Sequence, residues 1–343
     1  MSLPFPFENG VTGILHVLWT VTLQTPLVIR SGTNASYKNK SAEQEKGRKS
    51  NCEFSWIDET SDKENNTEWS TVKDFNFDFK VNNDGNLEAR YSIPGSSIRG
   101  ALRQWTIKNL IPDADKKLFS LPRLEKDVSI DLAEKMKEAL IAAEDTGNYW
   151  HHILSLFGSA YDLNPGNDTP LTWSGRLQLN TIRLNGTQNQ ICAGIAPANI
   201  DAFAPGNIKR HINIRTPMDR VTMAARSGGL HSGLEMSEGE RFTIEFRILN
   251  PKPLDLKILK LWRRDINTGF LRFGGLTSQG RGRVFISSEN YRFYAAKNTE
   301  LFFYLQSFGK PDITDGTLFE NFWTGVELTS EDLFALDFNT ITV

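Results

Sequence analysis

Cysteine is nearly missing from this chain. The 343 residues hold two, Cys52 and Cys192, too few for a zinc cluster or a disulfide framework, and a reducing compartment fits that count. Also missing is any apolar run long enough to span a bilayer. The opening Met1–Gly10 lacks the basic start and apolar core of a secretory signal. The expectation is a cytoplasmic protein with no membrane partner. Histidine is scarce at five residues. The adjacent pair His151 and His152 falls on a helical stretch, where neighbours point about 100° apart, so the pair makes a poor bidentate metal site. No Gly-Lys-Ser/Thr follows a glycine loop, and no G-x-G-x-x-G opens a helix, which argues against the common nucleotide-binding loops. A large net charge is missing too: the formal value is −2.

The neutral total hides an uneven distribution. Residues 206–285 carry 15 Lys and Arg against seven Asp and Glu, whereas residues 298–343 carry one Lys against eight acids. A basic middle suits a polyanionic partner. The apolar fraction of 39%, with 22 Phe, is enough for a sizeable core in one large or two ordinary domains.

Two glycine turns stand out. The first, Ile93-Pro94-Gly95-Ser96-Ser97-Ile98-Arg99-Gly100, runs into Ala101-Leu102-Arg103-Gln104-Trp105. Pro94 ends a strand-like run, Gly95 permits a tight turn, and Ser96 or Ser97 is placed to cap a helix starting near Ile98. The N–H groups at such a start face an anion, and Arg99 and Arg103 share a helical face. Alone, this stretch reads better as an ordinary capped strand-to-helix turn. The second turn, Phe273-Gly274-Gly275-Leu276-Thr277-Ser278-Gln279-Gly280-Arg281-Gly282-Arg283-Val284, interleaves four glycines with Arg281 and Arg283. Backbone N–H groups beside two guanidiniums make a phosphate cradle. Together the two turns suggest a protein that holds a polyphosphate backbone.

In chain order, 11–29 alternates with period two and predicts a strand. The polar stretch 31–72 predicts a long inserted loop. Two strands, 74–81 and 87–93, flank Asn82-Asn83-Asp84-Gly85-Asn86 as a hairpin. Asp74 and Asp78 share one face of the first, and paired carboxylates can bind a divalent cation, although a solvated face is the plain reading of Asp78. Helices are predicted over 97–110, 129–143, 149–157 and 254–266. Strands are predicted over 175–179, 241–249 and 284–286. Residues 185–239 predict an irregular excursion, a long hairpin projecting from the domain. Residues 298–343 predict an acidic, aromatic tail that packs on this chain or a neighbour. This order gives an α+β class, with a ferredoxin-like antiparallel sheet over 1–297.

Four stretches then resemble one family. They are Thr25-Pro26-Leu27-Val28-Ile29; the Pro-Gly-Ser-Ser turn with its basic helix; Leu156-Phe157-Gly158-Ser159 followed by Gly175-Arg176-Leu177; and Gly274-Gly275 through Val284. The chain is similar to the RAMP superfamily, and within it to the backbone-type subunits of type III CRISPR effector complexes. Met218-Asp219-Arg220-Val221-Thr222 resembles the block beside the thumb of that family.

The resemblance implies a palm and thumb that grip a guide CRISPR RNA paired with a complementary target RNA. Other RAMP subunits and the large subunit of the complex would be neighbours. Ser96, Ser97, Arg99, Arg103, Gly274, Gly275, Arg281, Arg283 and Arg220 would contact RNA. In cleaving members an acid after the first strand cuts the target with a divalent metal. Asp74 is the nearest positional match for that catalytic, Mg2+- or Mn2+-binding acid, with Asp58 and Asp62 as alternatives. A non-catalytic structural or end-cap subunit is a second reading. A third is a guide-processing ribonuclease using His151 or His152 as general acid–base.

Overall fold

The computed structural model describes residues 10–39, 52–55, 69–81, 87–111, 149–159, 173–184, 191–192, 210–215, 231–296 and 323–336. Strand β1 (Gly13–Leu23) is the spine: Leu15, Val17, Trp19, Val21 and Leu23 are buried, and the residues between them are half-buried. β2 (Arg30–Asn39), β3 (Cys52–Ser55) and β4 (Trp69–Phe75) follow. The hairpin β5 (Phe77–Val81) and β6 (Leu87–Ile93) then leads through Pro94 into helix α1 (Gly95–Leu110). Helix α2 (Tyr149–Phe157) runs into β7 (Gly158–Ser159), which pairs with β8 (Trp173–Ser174). After β9 (Leu177–Leu179), β10 (Ile182–Arg183) and β11 (Ile191–Cys192) come β12 (Arg210–Arg215) and β13 (His231–Met236). The chain closes with β14 (Arg241–Leu249), α3 (Pro253–Thr268), β15 (Val284–Ala296), β16 (Trp323–Leu328) and α4 (Ser330–Ala335).

The central sheet has the order β16-β15-β1-β14-β9, and every neighbouring pair is antiparallel. Reading β1, α1, β9, β14, α3, β15 along the chain gives a β-α-β-β-α-β unit, so the expected ferredoxin-like antiparallel sheet is present. Strands β1 and β14 bury every second residue, as period two on a one-sided sheet demands. α1 contributes Ile98, Leu102 and Thr106 to the buried side, and α3 contributes Leu256, Ile258, Leu259, Trp262 and Ile266. Two indoles join the helices: Trp262 Nε1–H donates to Thr106 Oγ1 at 2.8 Å, and Trp105 Nε1–H donates to Asp265 Oδ2 at 3.0 Å. Trp19 meets Phe246 edge-on at 5.1 Å in the centre of the core.

Beside the palm lies a second sheet, β12-β13-β4-β2-β3. It corrects the expectation for 31–72, since β2, β3 and most of β4 fall in that stretch. A ladder is satisfied by main-chain groups, so a polar sequence with few aliphatics still pairs. Asp74 belongs to β4 and not to the hairpin. Asn76 makes the break: its N–H donates to Ile29 O at 2.8 Å and its Nδ2 donates to Ser92 Oγ at 2.8 Å, switching the chain into β5. The helix expected over 129–143 and the hairpin tip 82–86 lie outside the described residues. Of the excursion 185–239, β12 and β13 pair from Arg210↔Met236 to Arg215↔His231. Of the tail, β16 extends the sheet on β15, and α4 sets Phe334 against Tyr291 at 6.1 Å.

Candidate nucleic-acid interface

Helix α1 begins at Gly95, one turn earlier than the serines suggested. The Ser97 N–H donates to Pro94 O at 2.9 Å, closing the first turn there. Only glycine fits at 95: an added Cβ would sit 2.6 Å from Leu179 O. Ser96 and Ser97 are therefore inside the first turn and cap nothing, which corrects the capping expectation. No side chain caps this helix, and its first turn holds no acid. The leading N–H groups of a helix have no intrahelical partner, and the dipole leaves them partly positive.

The second glycine turn is shaped by the segment after β1. The Gly275 N–H donates to Val28 O at 2.8 Å, and the Gly282 N–H donates to Pro26 O at 2.9 Å. Gly274 and Gly282 have positive φ (77° and 76°), and a Cβ at Gly282 would lie 1.8 Å from Phe273 O. Leu276 also sits in the left-handed region, at φ 61°. Arg272 braces the turn: its Nε–H donates to Gly269 O at 3.0 Å and its Nη1–H donates to Thr277 O at 3.1 Å.

These two stretches, some 180 residues apart in sequence, line one groove of about 760 Å³. Ser96, Ser97, Gln104, Trp105 and Lys108 come from α1. Phe270, Arg272, Gly274, Gly275 and Thr277 come from the later turn, and Val28, Ile29 and Arg30 lie between. Among the described residues the lining holds three cations, Arg30, Lys108 and Arg272, and no Asp or Glu. Lys108 Nζ sits 5.8 Å from the centre of the Trp105 ring, a cation–π distance.

Four expected phosphate contacts do not line the groove. Arg99 Nη2 donates to the Phe157 carbonyl, toward α2. Arg103 is half-buried. Arg281 Nε lies 2.9 Å from Oε2 of the fully buried Glu235. Arg215 reaches the other oxygen of Glu235 at 2.6 Å and also donates to Gln279 Oε1 at 2.7 Å, so this carboxylate rivets the glycine turn to β12 and β13. Arg283 is exposed and lies across Gly269. Arg220, Asp58 and Asp62 lie outside the described residues. Asp74 is the penultimate residue of β4, and Asp78 pairs with Arg183 at 2.9 Å on the surface. Among the described residues no three His, Cys, Asp or Glu side chains converge on a metal-sized site, so no cleavage step through Mg2+ or Mn2+ is assigned.

The histidine reading meets a similar fact. His152 Nε2 lies 2.7 Å from Asp255 Oδ1, and both groups are turned inside. Asp255 is fully buried and also takes Arg176 in two contacts, 2.5 Å and 3.1 Å. Arg176 is itself fully buried, and its Nε–H donates to Ser155 Oγ at 2.9 Å. Burial alone would raise the Asp255 carboxyl; the charge of Arg176, with the hydrogen bond from His152, overrides it and holds the group far below the usual carboxylate range. The network is structural cement between α2, the Gly175-Arg176 turn and α3. Gly175 shares that crowding, with a would-be Cβ at 2.4 Å from Leu156 O.

Sequence reasoning found the two turns but missed Arg30, Gln104, Trp105, Lys108, Phe270 and Arg272. The i, i+4, i+8 spacing of Gly100, Gln104 and Lys108 was the available signal for one helical face. Nothing local marks Arg30, Phe270 or Arg272.

A family model described as "RAMPs: RAMP superfamily" matches residues 20–285. No curated protein matches. Among solved structures, a chain titled "Type IV-B CRISPR Complex" is similar with TM-score 0.39 and 14% identity, covering 81% of this chain and 90% of that chain. No helix among the described residues is long and apolar enough to cross a membrane.

Proposed function

The chain belongs to the RAMP superfamily, and we propose that within it this protein is a guide-RNA-binding subunit of a type III CRISPR effector complex. The observation that carries the reading is the groove, free of acids among the described residues, that joins the uncapped start of α1 to the glycine turn. RNA phosphates enter against the leading N–H groups of α1, with the Ser96 and Ser97 hydroxyls as further donors. Lys108 supplies positive charge along the same groove, and Arg30, whose Nη1–H donates to Leu234 O at 3.1 Å, adds charge from its wall. Arg272 keeps the glycine turn in shape, and the ion pair of Arg281 with Glu235 keeps that turn docked on β13. The basic side chains thus divide into some that meet the ligand and some that hold the frame.

The test is nuclease footprinting of guide RNA on the complex assembled with the full chain. Protection that vanishes with Lys108→Ala combined with Ser96→Asp, while assembly persists, is the expected result. Protection unchanged in that variant rules the groove out as the guide site. The same complex decides the role of Asp74. Target RNA cuts lost in Asp74→Ala, with Mg2+ or Mn2+ supplied, make the chain a cleaving subunit; cuts retained make its place purely structural or pass the role to Asp58 or Asp62.

A further inference from the structure

Phe270 is the largest anomaly on the described surface. At 71% exposure it is the most exposed large apolar side chain there, yet its neighbours Leu271 and Phe273 are fully buried. Its backbone is held firmly. Gly269 ends α3 in the left-handed conformation at φ 79°, and the Leu271 N–H donates back to Asp265 O at 2.9 Å. This termination motif sets residue 270 on the rim between α3 and the glycine turn. Among the described residues Phe270 has no ring contact, and it lines the groove together with Lys108 and Arg272. The other aromatic there, Trp105, already has its N–H bound to Asp265 and Lys108 over its ring.

An exposed aromatic on a fixed backbone, beside cations and an uncapped helix start, suits a ligand that is anionic along one edge and flat along the other. A lone phosphate needs no aromatic. A duplex keeps its base faces stacked on one another. Single-stranded RNA offers both phosphates and free base faces. We infer that Phe270 is a stacking platform for one unpaired base of the RNA strand whose phosphates occupy the groove. The inference rests on the RNA-binding reading and adds that the bound strand is unstacked at this point. A protein neighbour that covers Phe270 is the competing occupant; among the described residues the lining's three cations, with no acid beside them, favour the polyanion.

The experiment measures binding of a short oligoadenylate RNA, carrying one fluorescent adenine analogue, to the full chain over a salt series. Phe270→Ala and Phe270→Leu should both raise Kd roughly five- to 150-fold, the range for losing one base–aromatic stack. Phe270→Trp should restore binding and deepen quenching of the analogue. The slope of log Kd against log salt should not change in any of them, because no phosphate contact is lost. Unchanged affinity in Phe270→Ala, or binding kept by Leu as well as by Trp, overturns the platform. Loss of a subunit contact in Phe270→Ala, with RNA affinity intact, also overturns it and assigns the residue to a protein neighbour. Failure of the unaltered chain to bind RNA at all sinks the RNA-binding reading itself, which is a separate outcome. The substitution is on the surface, so the unfolding midpoint should not move.

Discussion

The two palm helices occupy equivalent places in the β-α-β-β-α-β unit, and they begin in opposite ways. α3 starts at Pro253 with its own acid: Asp255 accepts the Lys252 N–H at 2.7 Å and is fully buried against Arg176. α1 starts at Gly95 with Ser96 and Ser97, no side-chain cap and no acid in the first turn. In one half the anion site at the helix start is filled from within. In the other it opens on a groove lined by three cations. On the proposed reading, the contrast separates stability from binding within one repeated architecture: a filled helix start cements, and an open one is left to receive the RNA. Resident carboxylates, more than the positions of basic residues, mark which is which.

The comparison is broken most severely at the filled end. Asp255→Ala strips the carboxylate from Arg176 and His152 and should cost about 3–5 kcal/mol, read as a lowered urea midpoint. Acid probes the same group. Its folded-state pKa is depressed, so its contribution is complete above the unfolded value near 4 and is lost as pH falls below that. The unaltered chain should lose stability steeply below about pH 4, and Asp255→Asn should flatten that part of the curve. At the open end, Gly282→Ala places a Cβ against Phe273 O in left-handed backbone. It should cost about 1–2 kcal/mol from conformation alone, more with the clash, and RNA affinity should fall with the turn. The smallest effect is expected from Lys108→Ala. Stability should hold within about 0.5 kcal/mol, while the salt slope of RNA binding drops by about one.

Much of this was legible in the sequence, for reasons that can be named. The strict alternation of β1 and β14 and the strand end at Pro94 are local signals, and they set the palm, whereas the helix start at Gly95 reads a turn late from the serines. The polar strands β2 and β3 escaped because their pairing is a property of backbone and neighbours. At the site, both glycine turns are visible in the sequence, but Arg99, Arg103, Arg281 and Arg283 read alike there as ligands for phosphate. Arg99 and Arg281 instead bind protein groups, the Phe157 carbonyl and Glu235. No local spacing announces that, since the partners are some 58 and 46 residues away. Lys108 and Phe270 were overlooked because they become neighbours only when α1 and α3 pack side by side.

The most direct measurement is RNA binding by Ser96→Asp set beside its thermal unfolding. This variant gives α1 the kind of resident acid that α3 already has. The account predicts a fold stabilised by about 0.3–1 kcal/mol through the helix dipole, together with an RNA affinity about tenfold or more weaker, a loss near 1.4 kcal/mol. RNA affinity left unchanged, with the stability gain present to show the acid in place, would contradict it.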